Sequence, residues 1–228
     1  MITHAVVGTP AQLAFWQQTP LAPHTRQVWS LPQANLGDVQ AQPTDVLWVL
    51  ATEQESQLRD WALLTRERKV VLPAHATSLY RLLRAVAPAA DAANLFGINA
   101  LPGMLERDRW ELSHLNPPVA QDWVAQLQKQ GPLIELIPDG PAMVTPRVIA
   151  MIVNEAGWLL QEQGATAADI DNALKLGVNY PLGPLEWLDK WSPAVIIAIL
   201  ESLGTELGTD TYKIAPYLHR RWAEQTLD

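Results

Sequence analysis

The chain has 228 residues, no cysteine and a formal charge of -8. That length allows one large domain or two small ones, the 48% hydrophobic content excludes wholesale disorder, and the missing cysteines exclude disulfides, cysteine-ligated zinc and a thiol nucleophile. Residues 1–140 hold 10 Lys and Arg against 13 Asp and Glu, and residues 141–228 hold 6 against 11, so neither half offers a basic face for nucleic acid.

The Met1–His4 start has no basic region followed by an apolar stretch, and no run of about 18 apolar residues exists, so neither a signal peptide nor a membrane span is expected. A cytoplasmic, reducing location fits the cysteine count. Ten Trp is a high number, read first as core and interface packing. In chain order, Ile2–Val7 is an apolar run ending at Gly8-Thr9-Pro10, and a helix is expected over Ala11–Gln18. Gln27–Leu31 is a strand candidate, and the polar, punctuated stretch Pro32–Pro43 reads as loop. Asp45–Leu50 (DVLWVL) is continuously apolar, as in a strand buried on both faces. A helix over Glu53–Arg66, a strand at Lys69–Leu72 and a helix over Ser78–Val86 follow. Strands at Leu95–Asn99 and Leu133–Ile137 flank a helix near Pro118–Gln130. This alternation predicts a mostly parallel sheet with helices on its faces.

The second half changes character. Thr145-Pro146 places a capping hydroxyl before a helix-starting proline, and apolar residues recur helically through Val148, Ile149, Ile152, Val153, Leu159 and Leu160 up to Gly164. Thr166 and Asp169 resemble a capping box opening a second helix that ends at Gly177. Val178–Pro184 reads as loop, Ser192-Pro193 opens a third helix closed by Gly204, and Tyr217–Gln225 forms a fourth. The expected class is therefore α/β plus all-α, with a domain over residues 1–140, a helical domain over 141–228 and a junction near Asp139-Gly140-Pro141.

Val153–Lys190, VNEAGWLLQEQGATAADIDNALKLGVNYPLGPLEWLDK, resembles the C-terminal domain of the 3-hydroxyacyl-CoA dehydrogenases, through NEA, ATAADIDNALKLG and NYPLGPLEWLDK. GTDTYKIAPYLHRR resembles that family's later segment. The likeness extends backward through DGPAMVTPR (Asp139–Arg147), Gly97–Glu111, ATSL (Ala76–Leu79) and the Asp45–Leu64 strand and helix. It implies a reduced Rossmann-like domain plus a helical domain that usually makes a homodimer. It also implies NAD and an acyl-CoA meeting between domains, with hydride transfer interconverting 3-hydroxyacyl-CoA and 3-ketoacyl-CoA in fatty acid metabolism.

The resemblance places four catalytic positions. Ser78 matches the family's Ser, and a helix cap is the alternative reading. Glu111 falls at the Glu that orients the catalytic His, and a surface carboxylate is the alternative. The His position holds Asn99, whose amide cannot take a proton, and the family's Asn position holds Pro146. The Gly of P-G-F is Ala142. His75 and His114 are candidate substitutes for the missing His, while His219 reads as part of a solvated face.

The cofactor side is depleted as well. A dinucleotide turn needs G-x-G-x-x-G after the first strand, and Gly8-Thr9-Pro10-Ala11-Gln12-Leu13 keeps only Gly8. Pro10 removes an N–H, no acidic residue closes the Gln27–Leu31 strand, and the stretch ahead of Asp45 is shorter than the family's. Arg66, Arg68 and Lys69 are candidate cations for CoA phosphates, or a solvated helix end. The favoured expectation is a family member with lost or weakened catalysis, a pseudoenzyme binding an acyl-CoA-type ligand or a partner. The alternatives are an active NAD(P)-dependent oxidoreductase and a structural dimerisation module.

Overall fold

The computed structural model describes residues 1–31, 33–52, 55–86, 89–208 and 210–227. The chain divides into two compact units, Met1–Met143 and Val144–Asp228.

Unit one is a seven-stranded sheet. Its strands are β1 (His4–Gly8), β2 (Thr25–Ser30), β3 (Val46–Val49), β4 (Lys69–Pro73), β5 (Leu95–Ile98), β6 (Arg109–His114) and β7 (Leu133–Pro138), in spatial order β2-β1-β3-β4-β5-β6-β7. All neighbours are parallel except β5 and β6. Against the six-stranded order 3-2-1-4-5-6 of a full dinucleotide fold, one strand is missing on the β1 side, leaving the order 2-1-3 at the switch point. The helices are α1 (Pro10–Trp16), α2 (Leu36–Gln40), α3 (Glu55–Leu63), α4 (Leu79–Val86) and α5 (Pro117–Gln128).

The apolar runs are continuous because each central strand feeds two cores. Val6, Trp48, Val71 and Phe96 pack on one face with Leu13 and Trp16 of α1 and Val124 and Leu127 of α5. Ala5, Val7, Leu47, Val49 and Leu72 pack on the other, with Val39 of α2, Leu58 and Trp61 of α3 and Leu82 of α4. Successive side chains of a strand point to opposite faces, so a strand covered on both sides must be apolar throughout. Four Trp are fully or nearly fully buried in this unit. Gly97 of β5 is held small by its neighbours: a Cβ there would stand 2.3 Å from Ser113 Oγ and 2.6 Å from Ala74 Cβ.

Several elements differ from expectation. Pro32–Pro43 contains α2, nucleated by Asn35, whose side chain accepts the Asp38 N–H; Pro32 itself lies outside the described residues. The helix expected from Glu53 runs Glu55–Leu63 and tightens into a 3-10 turn over Leu64–Arg66, with Glu53 outside the described residues. β6 is a strand that sequence reasoning passed over.

Unit two holds α6 (Thr145–Gln161), α7 (Ala167–Val178), α8 (Pro184–Trp191), α9 (Pro193–Leu207) and α10 (Pro216–Leu227). The N-cap of α6 is Val144, with no side-chain cap, so Thr145 is the first helical residue and not the cap. α9 continues through Gly204 and stops at Gly208, whose φ of 62° supplies the left-handed cap. The stretch read as loop before Pro184 leads into α8, with the proline at its first position.

The strings that carry the resemblance are consumed by this packing. Asn154, buried in α6, donates to Lys213 O at 2.9 Å and accepts from Ala215 N at 2.8 Å, tying α6 to the start of α10. Gly157 lets the two approach, since a Cβ there would lie 3.0 Å from Ala215 Cβ. Asp171 of α7 accepts the Leu185 N–H at 2.8 Å at the head of α8, over Gly183, where any Cβ would stand 2.3 Å from the Asp171 carboxyl. Glu186 accepts the Gly183 N–H at 2.8 Å and pairs with Lys175. Asn154→Ala strands the part-buried Lys213 carbonyl and the buried Ala215 N–H, and should cost roughly 2 kcal/mol. Urea unfolding of the two proteins side by side checks it; equal midpoints would mean that water replaces the amide.

Among the described residues, no helix is long and apolar enough to cross a membrane.

Candidate functional site

In an open parallel sheet, ligands bind outside the carboxyl ends of the strands, at the point where strand order reverses. Here that edge is built by the turns after β1, β3, β4 and β5.

The turn after β1 is closed on itself. Thr9 caps α1, its Oγ1 accepting the Gln12 N–H at 3.3 Å. Gln12 Oε1 accepts from the Thr9 N–H at 3.0 Å and from the Thr9 hydroxyl at 3.1 Å. The same side chain reaches across the edge, and its Nε2 donates to Leu50 O after β3 at 3.0 Å and to Ala100 O after β5 at 3.1 Å. Gly8, the remaining glycine of the turn, lies under Gln12, whose Oε1 stands 3.2 Å from where a Cβ would be. Leu13 replaces the last glycine of the motif and is buried in the core. A pyrophosphate cradle needs free N–H groups and close backbone approach. Here the Thr9 and Gln12 N–H groups are spent, Pro10 has none and only the Ala11 N–H is left in the turn, too few donors under a covering Gln12 side chain to fit a pyrophosphate.

After β4, Ser78 is nearly fully buried and its Oγ accepts the Arg81 N–H at 3.0 Å, capping α4. Asp139 takes the next two donors, Leu79 N–H at 2.9 Å and Tyr80 N–H at 3.0 Å. The helix start is thus satisfied from within unit one. His75 stands in the same turn. Part of the residue reaches the surface, yet Nδ1 is sealed without a partner, and burial pushes the imidazole down to about 4.

Asn99 follows β5 directly, buried, with its N–H donating to Glu111 O at 3.2 Å across the antiparallel β6 pairing. Its Oδ1 accepts the Leu101 N–H at 3.4 Å. Asn99 and Glu111 are therefore brought side by side, 12 residues apart in sequence, by a strand that the sequence did not reveal. Pro146 lies in the other unit, at the second position of α6. Ala142 sits at φ 62° and Met143 at φ 52°, a left-handed geometry that costs a residue with a Cβ about 1–2 kcal/mol.

His114 and the cationic cluster are placed away from this edge. His114 closes β6 at the far end of the sheet, packs on Phe96 at 4.6 Å between ring centres and binds the Asn116 N–H through Nδ1 at 3.0 Å. Arg68 precedes β4 and is buried. It donates to Gln42 O at 2.7 Å and Gln40 O at 3.1 Å, clamping the end of α2 as a cation should at a helix C-terminus. Lys69 donates to Asn94 Oδ1 at 3.0 Å. These two serve the fold at the amino ends of the strands. Gln12 is the residue that sequence reasoning missed. The one available signal was its place in a capping box with Thr9. Among the described residues no group of three His, Cys, Asp or Glu could hold a metal.

Residues 143–228 match the model of the 3-hydroxyacyl-CoA dehydrogenase C-terminal domain. The chain is 42% identical over 95 residues to the 3-hydroxyadipyl-CoA dehydrogenase of Escherichia coli, a match covering 42% of this chain and 20% of that protein. It is 34% identical over 101 residues to a probable 3-hydroxybutyryl-CoA dehydrogenase of Bacillus subtilis, covering 44% of this chain and 35% of the relative. The chain thus matches about a fifth to a third of these relatives' length. The fold is shared over nearly its whole length with the (S)-3-hydroxybutyryl-CoA dehydrogenase of Ralstonia eutropha, with a TM-score of 0.71, 17% identity, and coverage of 99% of this chain and 95% of the other.

Proposed function

We propose, from the premise that this chain belongs to the 3-hydroxyacyl-CoA dehydrogenase family through residues 143–228, that it has lost hydride transfer and is kept as an acyl-CoA-binding protein. Asn99 carries this reading. A carboxamide stands where the family's catalytic His is expected, and it is buried and tied to the Leu101 N–H. An amide takes no proton at working pH, and losing a general base typically removes about 10² to 10⁴ in rate. Ser78 is committed to capping α4, and Pro146 has no side-chain donor. The acyl-CoA ligand is argued from the relatives, whose names each specify a CoA ester. Acetoacetyl-CoA with NADH, and 3-hydroxybutyryl-CoA with NAD, should give absorbance changes at 340 nm no faster than the blank. Turnover at an ordinary enzymatic rate, about 1 per second or more, would sink the reading.

The helical unit supports self-association. α7 has Ile170 as its buried residue, while Leu176 and Val178 lie exposed on the same helix, with Val148 and Leu159 exposed on α6. Such apolar side chains suit a second copy of the chain. A second reading, an active oxidoreductase, draws on Glu111 beside Asn99 and on His75 at the same edge. Turnover abolished by His75→Gln would favour it.

A further inference from the structure

We infer that the Gln12 side chain is a built-in latch that occupies the switch point of the sheet and excludes NAD, so that unit one folds and persists without a nucleotide. A primary amide offers two donor hydrogens and two acceptor positions. All four are used within the chain: Oε1 by the Thr9 N–H and hydroxyl, Nε2 by Leu50 O and Ala100 O. The Thr9 hydroxyl also accepts the Gln12 N–H, closing the ring of bonds. The carbonyls that Gln12 joins follow β3 and β5, so it spans the crevice beside β1 where a dinucleotide fold places its ligand.

Of the Thr9–Gln12 donors, a pyrophosphate entering this space would meet only the Ala11 N–H unspent. It would have to displace Gln12, and that leaves two carbonyls and the Thr9 N–H without partners in a part-buried site. Nor can the helix end compensate, because α1 has seven residues and begins with Pro10. The same residue thus removes the cofactor's space and supplies the bonds that hold the three turns together.

The test uses the full chain. NADH is titrated to about 1 mM while its emission is followed, and melting is recorded with and without 1 mM NAD. The expected results are no saturable emission change and no shift in Tm. Gln12→Ala should melt about 3–6 °C lower, as expected for losing four side-chain bonds that water partly replaces in a chain of this size. Saturable NADH binding below about 100 µM would overturn the latch, and so would a Gln12→Ala variant that melts with the parent protein. NADH binding without turnover would overturn this inference alone and leave the loss of hydride transfer standing.

Discussion

Trp48→Ala is expected to destabilise the chain by about 3–5 kcal/mol, the range for truncating a fully buried aromatic. Trp48 lies in the middle of the sheet on β3 and has no exposed surface. Its ring centre is 5.4 Å from that of Trp16 and 5.9 Å from that of Trp110, so one truncation removes two aromatic contacts and opens a cavity between α1 and the sheet. Trp48 Nε1 also donates to His4 Nδ1 at 3.2 Å, and the alanine leaves that buried nitrogen unpaired. Trp48→Phe keeps most of the volume and should cost less than half as much. Urea unfolding read by far-UV dichroism checks both, because emission from the remaining Trp would be altered by the mutation itself. An alanine variant within 1 kcal/mol of the parent would mean that the cluster relaxes around the void.

How much of this was legible follows from the range of each interaction. DVLWVL announced β3 because a strand covered on both faces leaves an unbroken apolar run. β6, RWELSH, carries Arg109 and Glu111 on a strand that is only partly covered, and its mixed composition hid it. α2 has five residues, too few for a helical period to show, and α8 was masked by the prolines and glycine before it. Ser78 as a cap was legible because its partner is three residues away. Gln12 was not, because its partners Leu50 and Ala100 are 38 and 88 residues distant and appear only when the sheet brings three turns together.

The same contrast bears on function. The residues that make the family resemblance strong are Asn154, Asp171, Gly183 and Glu186, and each is engaged in joining helices of unit two. They report descent and architecture. The positions that the resemblance assigns to chemistry are others, and there the chain has an amide at Asn99, a proline at Pro146 and a closed turn at Gly8–Leu13. A fold does not by itself fix a function, because packing and chemistry rest on different residues.

Acid should weaken the chain well before its carboxylates titrate. Burial pushes the His4 imidazole from about 6.5 down to about 4; His24 adds to the lowering, while Gln130 and Asp45 oppose it. The folded state then resists a proton that the unfolded chain accepts. Stability from this residue is complete above pH 6.5 and is lost as pH falls from 6.5 through 4. Below 4 both states are protonated and the loss from His4 ends. At 1.36 kcal/mol per pH unit, the full interval amounts to roughly 3 kcal/mol. His75, lowered to about 4 by burial, acts in the same direction over the same window. His4→Asn keeps an acceptor for Trp48 Nε1 but cannot titrate, so its unfolding free energy should fall less steeply between pH 6.5 and 4.5. The comparison is of slopes, since the substitution also changes packing at every pH. Parallel curves for parent and variant would show that His4 is hydrated in solution and that His75 or the carboxylates carry the acid sensitivity.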